Sequence, residues 1–85
     1  MKSFSYVIKD ELGIHARPAG LLVKEAKKFN SKAMLEVDGK ITELTKLLAL
    51  MNLGIKRGNK IKISIEGEDE EAAARALETF FKENL

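Results

Sequence analysis

The 85-residue chain predicts an α+β fold, a two-layer open-faced sandwich in which three helices cover one face of a four-stranded antiparallel sheet. Three observations carry this. Four short stretches alternate apolar and polar residues, the period of a half-buried strand, and they fall in the order β-α-β-β-α-β-α among the helical segments. Two longer stretches repeat apolar residues every three or four positions, the period of an amphipathic helix. Asp38-Gly39 marks a tight hairpin between two of the strands. No segment repeats, and the length suits a single domain spanning 1–85.

The first strand is read from Phe4, Tyr6 and Ile8 alternating with Ser3, Ser5 and Lys9. Asp10-Glu11-Leu12-Gly13 follows as a loop. A helix from Ala16 to Phe29 shows an apolar stripe of Ala19, Leu22, Val23, Ala26 and Phe29. Pro18 falls in its first turn, where a missing N–H is harmless, and Asn30-Ser31 ends it. Ala33, Leu35 and Val37 define the second strand, and Lys40–Leu44 the third. Thr45 is expected to cap a short, very apolar helix from Lys46 to Leu53, stopped by Gly54. Ile61, Ile63 and Ile65 alternate with Lys60, Lys62 and Ser64 in the fourth strand. Asp69 opens the last helix, whose acidic first turn suits the helix dipole and whose buried stripe is Ala73, Ala76, Leu77, Phe80 and Phe81.

Composition narrows the function. There are no cysteines and one histidine, which removes disulfides and a cysteine-based metal site and argues against a structural zinc, so no metal is expected. No cofactor is expected. The N-terminal apolar run is too short for a secretory signal, and nothing approaches a membrane span, so a cytoplasmic protein is expected. The net charge of +2 hides an uneven distribution. Residues 66–85 carry seven acids against Arg75 and Lys82, whereas the other 65 residues carry thirteen bases and six acids. Basic groups therefore gather around the histidine, which favours an anionic ligand or an acidic partner.

Gly13-Ile14-His15-Ala16-Arg17-Pro18-Ala19 holds that histidine where a strand gives way to a helix. The opening N–H groups of a helix lack intrahelical partners and can donate to a phosphate oxygen. Arg17 adds a planar fork of matching geometry. A free imidazole titrates at about 6.5, so the nucleophilic neutral ring is abundant near neutral pH. No carboxylate is placed by the sequence to pair with His15, which points to a ring that carries a phosphoryl group rather than one that activates water.

This heptapeptide resembles the active-site signature of HPr, the family of histidine-containing phosphocarriers of the bacterial sugar phosphotransferase system. The resemblance extends over the whole chain: its length, the element order, the Asp38-Gly39 hairpin, the apolar helix ending in Asn52-Leu53-Gly54, and the acidic start of the last helix. It implies that His15 accepts a phosphoryl group on Nδ1 from phosphorylated enzyme I and passes it to the IIA domains of sugar permeases. Arg17 and the backbone of Ala16 and Arg17 would hold that group. The protein would be a stoichiometric carrier and not an enzyme.

Leu44, Leu50 and Leu53 can face the core, which leaves Leu47, Leu48 and Met51 as an exposed patch. Gly20, Lys24 and Lys27 continue from Arg17 along one helix face. Together with Lys46 they form an apolar centre with a basic rim, and in the resembling family a similar surface docks enzyme I and the IIA domains. Gram-positive members generally have a serine at the position of Lys46, where a dedicated kinase acts. Lysine cannot be modified that way, so no regulatory phosphosite is expected, with Thr45 the one neighbouring hydroxyl. Leu12 also departs from the small polar residue common there.

Two further functions fit the sequence less well. A nucleic-acid-binding module would use Lys56, Arg57, Lys60 and Lys62, but Gly54 and Gly58 do not form a GXXG loop and only five residues are aromatic. No nucleic-acid partner and no membrane insertion are expected. A phosphohistidine phosphatase or acylphosphatase-like enzyme would need turnover, with inorganic phosphate released at a catalytic rate. A sister carrier in a nitrogen-regulatory phosphotransfer chain shares the motif. A monomer is expected, since one face must meet successive partners.

Overall fold

The computed structural model describes residues 1–85. Its elements are β1 (Lys2–Val7), α1 (Ala16–Ala26), β2 (Lys32–Val37), β3 (Lys40–Glu43), α2 (Leu47–Met51), β4 (Lys60–Glu66) and α3 (Glu70–Asn84). The strands form one antiparallel sheet in the order β1-β4-β2-β3. This is the βαββαβα open-faced sandwich that the sequence predicts.

Alternation decides which face of the sheet is covered. In β4, Ile61, Ile63 and Ile65 are buried while Lys60, Lys62 and Glu66 face out. The register sets Ile63 opposite Phe4 of β1 and Leu35 of β2, so one apolar layer runs across three strands. Leu22, Val23 and Ala26 of α1, Leu50 of α2 and Ala73, Leu77 and Phe81 of α3 close over it. Phe81 is fully buried and meets Phe4 edge-on at 6.1 Å and Tyr6 at 5.7 Å. Burying each large side chain in this way contributes about 1.5–3 kcal/mol. The β2–β3 hairpin turns on Asp38 and Gly39, with φ of 49° and 79°, the two positive values a two-residue hairpin of this hand requires.

The helix ends differ from the sequence expectation, with α2 confined to Leu47–Met51 rather than Lys46 to Leu53. Helix α1 stops at Ala26, because Lys28 and Phe29 donate to Glu25 and Ala26 in a tightened last turn, and Phe29 packs half-buried beyond it. Thr45 does not cap α2. Its hydroxyl donates to Glu43 Oε1 at 2.8 Å, and the N-cap position falls to Lys46, whose side chain makes no capping bond. Asp69 is the N-cap residue of α3 by position only. Its carboxylate is spent on the preceding connection, accepting from Ser31 Oγ at 2.5 Å and from the Asn30 amide at 2.9 Å. Leu53 is half-buried, beside the fully buried Leu44 and Leu50.

Charge follows the fold. The N-terminal amino group pairs with Glu70 at 2.9 Å, so the acidic start of α3 lies at the beginning of β1. The other end of β1 leads to His15, and there the chain meets the end of α3.

Candidate functional site

Six backbone hydrogen bonds fix the segment that carries His15. Leaving β1, Ile8 is buried and donates to the Asn59 carbonyl at 3.0 Å while accepting from Gly58 at 2.8 Å. The amides of Lys9 and Asp10 both donate to the main-chain oxygen of Leu85, at 2.7 and 2.9 Å. Gly13 donates to the Asp10 carbonyl at 3.0 Å, closing the loop, and Ile14 donates to the Ile55 carbonyl at 3.2 Å. Ile14 buries its side chain in the core, which leaves the next residue at the surface.

His15 is that residue, and it is the N-cap of α1 (φ −108°, ψ −178°). Its carbonyl accepts from Ala19 at 2.9 Å, the first intrahelical bond. Pro18 has no N–H to offer, so the amides of Ala16 and Arg17 are the free donors of this first turn. The ring lines a shallow depression of about 240 Å³ together with Asp10, Arg17, Pro18, Leu21 and Asn84. Arg17 is exposed and forms no ion pair within the chain. No group of acidic, cysteine or histidine side chains is arranged to hold a metal.

Of the residues singled out by sequence, His15, Arg17, Ala16, Leu47, Leu48, Met51, Lys24, Lys27 and Lys46 are all exposed or partly so, and Gly20 is partly covered. Leu48 is 75% exposed, against 38% for Leu47 and 37% for Met51. Helices α1 and α2 pack against each other, so the α2 patch borders the helix that His15 caps. Leu12 and Leu21 add exposed apolar surface on the His15 side, at 70% and 45%.

One expectation is overturned. A carboxylate does stand beside the ring: Asp10 Oδ1 lies 3.8 Å from His15 Nε2. The same oxygen accepts the Leu12 amide at 2.8 Å, a local turn that holds the side chain in place. The signal in the sequence was an Asp in a turn-forming loop just upstream, but the path of that loop rests on the backbone contact of Asp10 with Leu85, which no local pattern reveals. Asn84 was missed for the same reason.

Comparison with known proteins agrees with this geometry. A family model described as the PTS HPr component phosphorylation site matches residues 2–83. The chain is similar to HPr-C-His from Thermoanaerobacter tengcongensis, with 43% identity over all of both chains and a TM-score of 0.88. It is also similar to the histidine-containing phosphocarrier protein of a Mycoplasma, with 35% identity, 96% of this chain and 93% of that one covered, and a TM-score of 0.93. The phosphocarrier protein HPr from Bacillus anthracis is 34% identical, with 94% and 95% covered and a TM-score of 0.87. Members of this family interact with enzyme I and IIA domains. The chain belongs to the HPr family, and it is a phosphocarrier of the phosphotransferase system rather than an enzyme.

Proposed function

We propose that His15 is the phosphoryl acceptor, through Nδ1, and that Arg17 with the amides of Ala16 and Arg17 cradles the transferred group. The observation that carries this is the position of His15 as N-cap of α1, with two free amides and an unpaired guanidinium at the same end. In the forward step the Nδ1 lone pair bonds to phosphorus as the bond to the enzyme I donor breaks, its electron pair leaving with the donor. The cradle meets the charge on the three phosphoryl oxygens, which is most of what a protein supplies in such a transfer. The reverse step, toward a IIA domain, uses the same contacts.

The docking surface is the apolar centre of Leu47, Leu48 and Met51 with the basic rim of Lys24, Lys27 and Lys46, and Gly20 between them. Its support is that these leucines and Met51 are exposed while their neighbours Leu44 and Leu50 are fully buried. A flat apolar patch with cations around it suits acidic, partly apolar partners. The carrier works as a single domain spanning 1–85, as a cytoplasmic monomer, and binds no nucleic acid. No helix is long and apolar enough to cross a membrane. Hydroxyl phosphorylation at the start of α2 plays no part, since Lys46 occupies the N-cap position and the Thr45 hydroxyl is engaged with Glu43.

Incubation with enzyme I, magnesium and labelled phosphoenolpyruvate tests this directly. One acid-labile label per chain is expected in the wild type and none in His15→Ala. Label persisting in His15→Ala would reject the assignment.

A further inference from the structure

Asp10 faces the side of the His15 ring away from Nδ1. Its Oδ1 is 3.8 Å from Nε2, and the side chains are 32% and 37% exposed. The Leu12 amide holds the carboxylate through Oδ1, while the Leu85 oxygen on the Asp10 amide and the Gly13 amide on the Asp10 carbonyl hold its backbone. Two charged side chains line the depression, Asp10 from the loop and Arg17 from α1. From α3 comes the neutral Asn84. The segment after α2 lies against Gly13 through the backbone of Ile55 and Lys56, and its charged residues are the exposed Lys56 and Arg57.

We propose that Asp10 is a positioning residue that keeps the proton of His15 on Nε2 throughout the phosphoryl cycle, holding the phosphorylated ring in its protonated and readily transferring form. This rests on His15 accepting through Nδ1. A lone pair on Nδ1 requires the ring proton to sit on Nε2. Once Nδ1 has bonded to phosphorus, a ring that keeps its Nε2–H is cationic, and a nearby carboxylate favours that form. On transfer the N–P bond electrons return to the ring. With Nε2 still protonated, the ring departs as neutral imidazole; stripped of that proton, it would have to depart as imidazolate, a far poorer leaving group. A separation of 3.8 Å makes this an ion-pair contact and not a hydrogen bond, and the groups are a third exposed, so the effect is moderate.

The test uses wild type, Asp10→Asn and Asp10→Ala, each labelled with 15N-histidine and phosphorylated with potassium phosphoramidate, a chemical donor that needs no partner protein. Asn retains an acceptor for the Leu12 amide, so the loop is preserved. The midpoint at which the phosphorylated ring loses its Nε2 proton, read from the 15N resonance, should fall by about 0.5–1 pH unit in both variants. Hydrolysis of the phosphohistidine at a fixed pH above the midpoint should slow about three- to tenfold, following the protonated fraction. Asp10→Glu should recover part of both effects. An unchanged midpoint and rate in Asp10→Asn would overturn the proposal, and so would phosphorylation on Nε2. Because the donor is chemical, failure of enzyme I to label the chain would count against the carrier assignment alone.

Discussion

The carbonyl oxygen of Ile55 stands where a Cβ on Gly13 would have to be, and the amide of Ile14 donates to that same oxygen at 3.2 Å. The Lys56 Cα is 2.7 Å from the same point, and Gly13 has φ of +66°. The loop before His15 can therefore lie on the α2–β4 connection only if this residue has no side chain. Gly13→Ala should lose about 2–4 kcal/mol of stability, combining the unfavourable φ with a backbone collision. It should also slow phosphoryl acceptance, because the residue that moves is two positions from the reacting ring. Urea denaturation and a labelling time course check both parts.

Arg17 is exposed and unpaired, so its removal should leave the melting temperature unchanged. Charge-assisted contacts to a phosphoryl group are each worth about 1.5–3 kcal/mol. Arg17→Ala should slow acceptance from phosphorylated enzyme I by about 10–100-fold, with Arg17→Lys intermediate because a point charge replaces a fork. Single-turnover rapid-quench kinetics reads the difference.

The α2 patch gives a separate prediction. Leu48 is the most exposed of its three apolar side chains. Leu48→Asp should leave the fold intact and weaken binding to enzyme I by about 2 kcal/mol or more, the cost of losing an apolar anchor and adding a charge to an acidic partner. Calorimetric titration checks the affinity, and chemical phosphorylation with phosphoramidate should proceed at the wild-type rate.

How much of this was legible in the sequence follows the reach of each interaction. Strand alternation, the α1 and α3 stripes and the Asp38-Gly39 turn are local, and their elements were legible to within a few residues. The heptapeptide around His15 was legible too, because N-cap, proline and guanidinium fall within one turn. What stayed hidden depends on partners that no local pattern singles out. The Asp10 backbone is tied to Leu85, Asp69 is drawn from its own helix to Ser31 and Asn30, and Thr45 is diverted to Glu43 at the end of the preceding strand. Asp69 and Thr45 each had a capping role available and took a different partner, whereas the Asp10 carboxylate keeps its local bond to the Leu12 amide.

Acid stability follows from the far end of the molecule. The hydrogen bond from the Ser31 hydroxyl, and then the Asn30 amide, hold the Asp69 carboxyl below its ordinary value of 3.8. The N-terminal amino group and the Gly67 amide hold Glu70 below 4.5. A lowered folded value means that protonation favours the unfolded chain. The stabilisation is therefore complete above the ordinary carboxylate range and is lost as pH falls through about 4 and below. Asp69→Asn and Ser31→Ala should be less stable than wild type at neutral pH, with the gap for Asp69→Asn closing as pH falls below the ordinary carboxylate range. Denaturation at a series of pH values checks this.

The central claim is that His15 receives a phosphoryl group and hands it on intact. Chain labelled from phosphoenolpyruvate through enzyme I, purified and mixed with a IIA domain, measures that hand-over in one step. The account predicts that nearly all label moves to the IIA domain with little inorganic phosphate formed, and that Arg17→Ala slows the transfer. Label that stays on the chain, or appears as free phosphate faster than on the IIA domain, would contradict it.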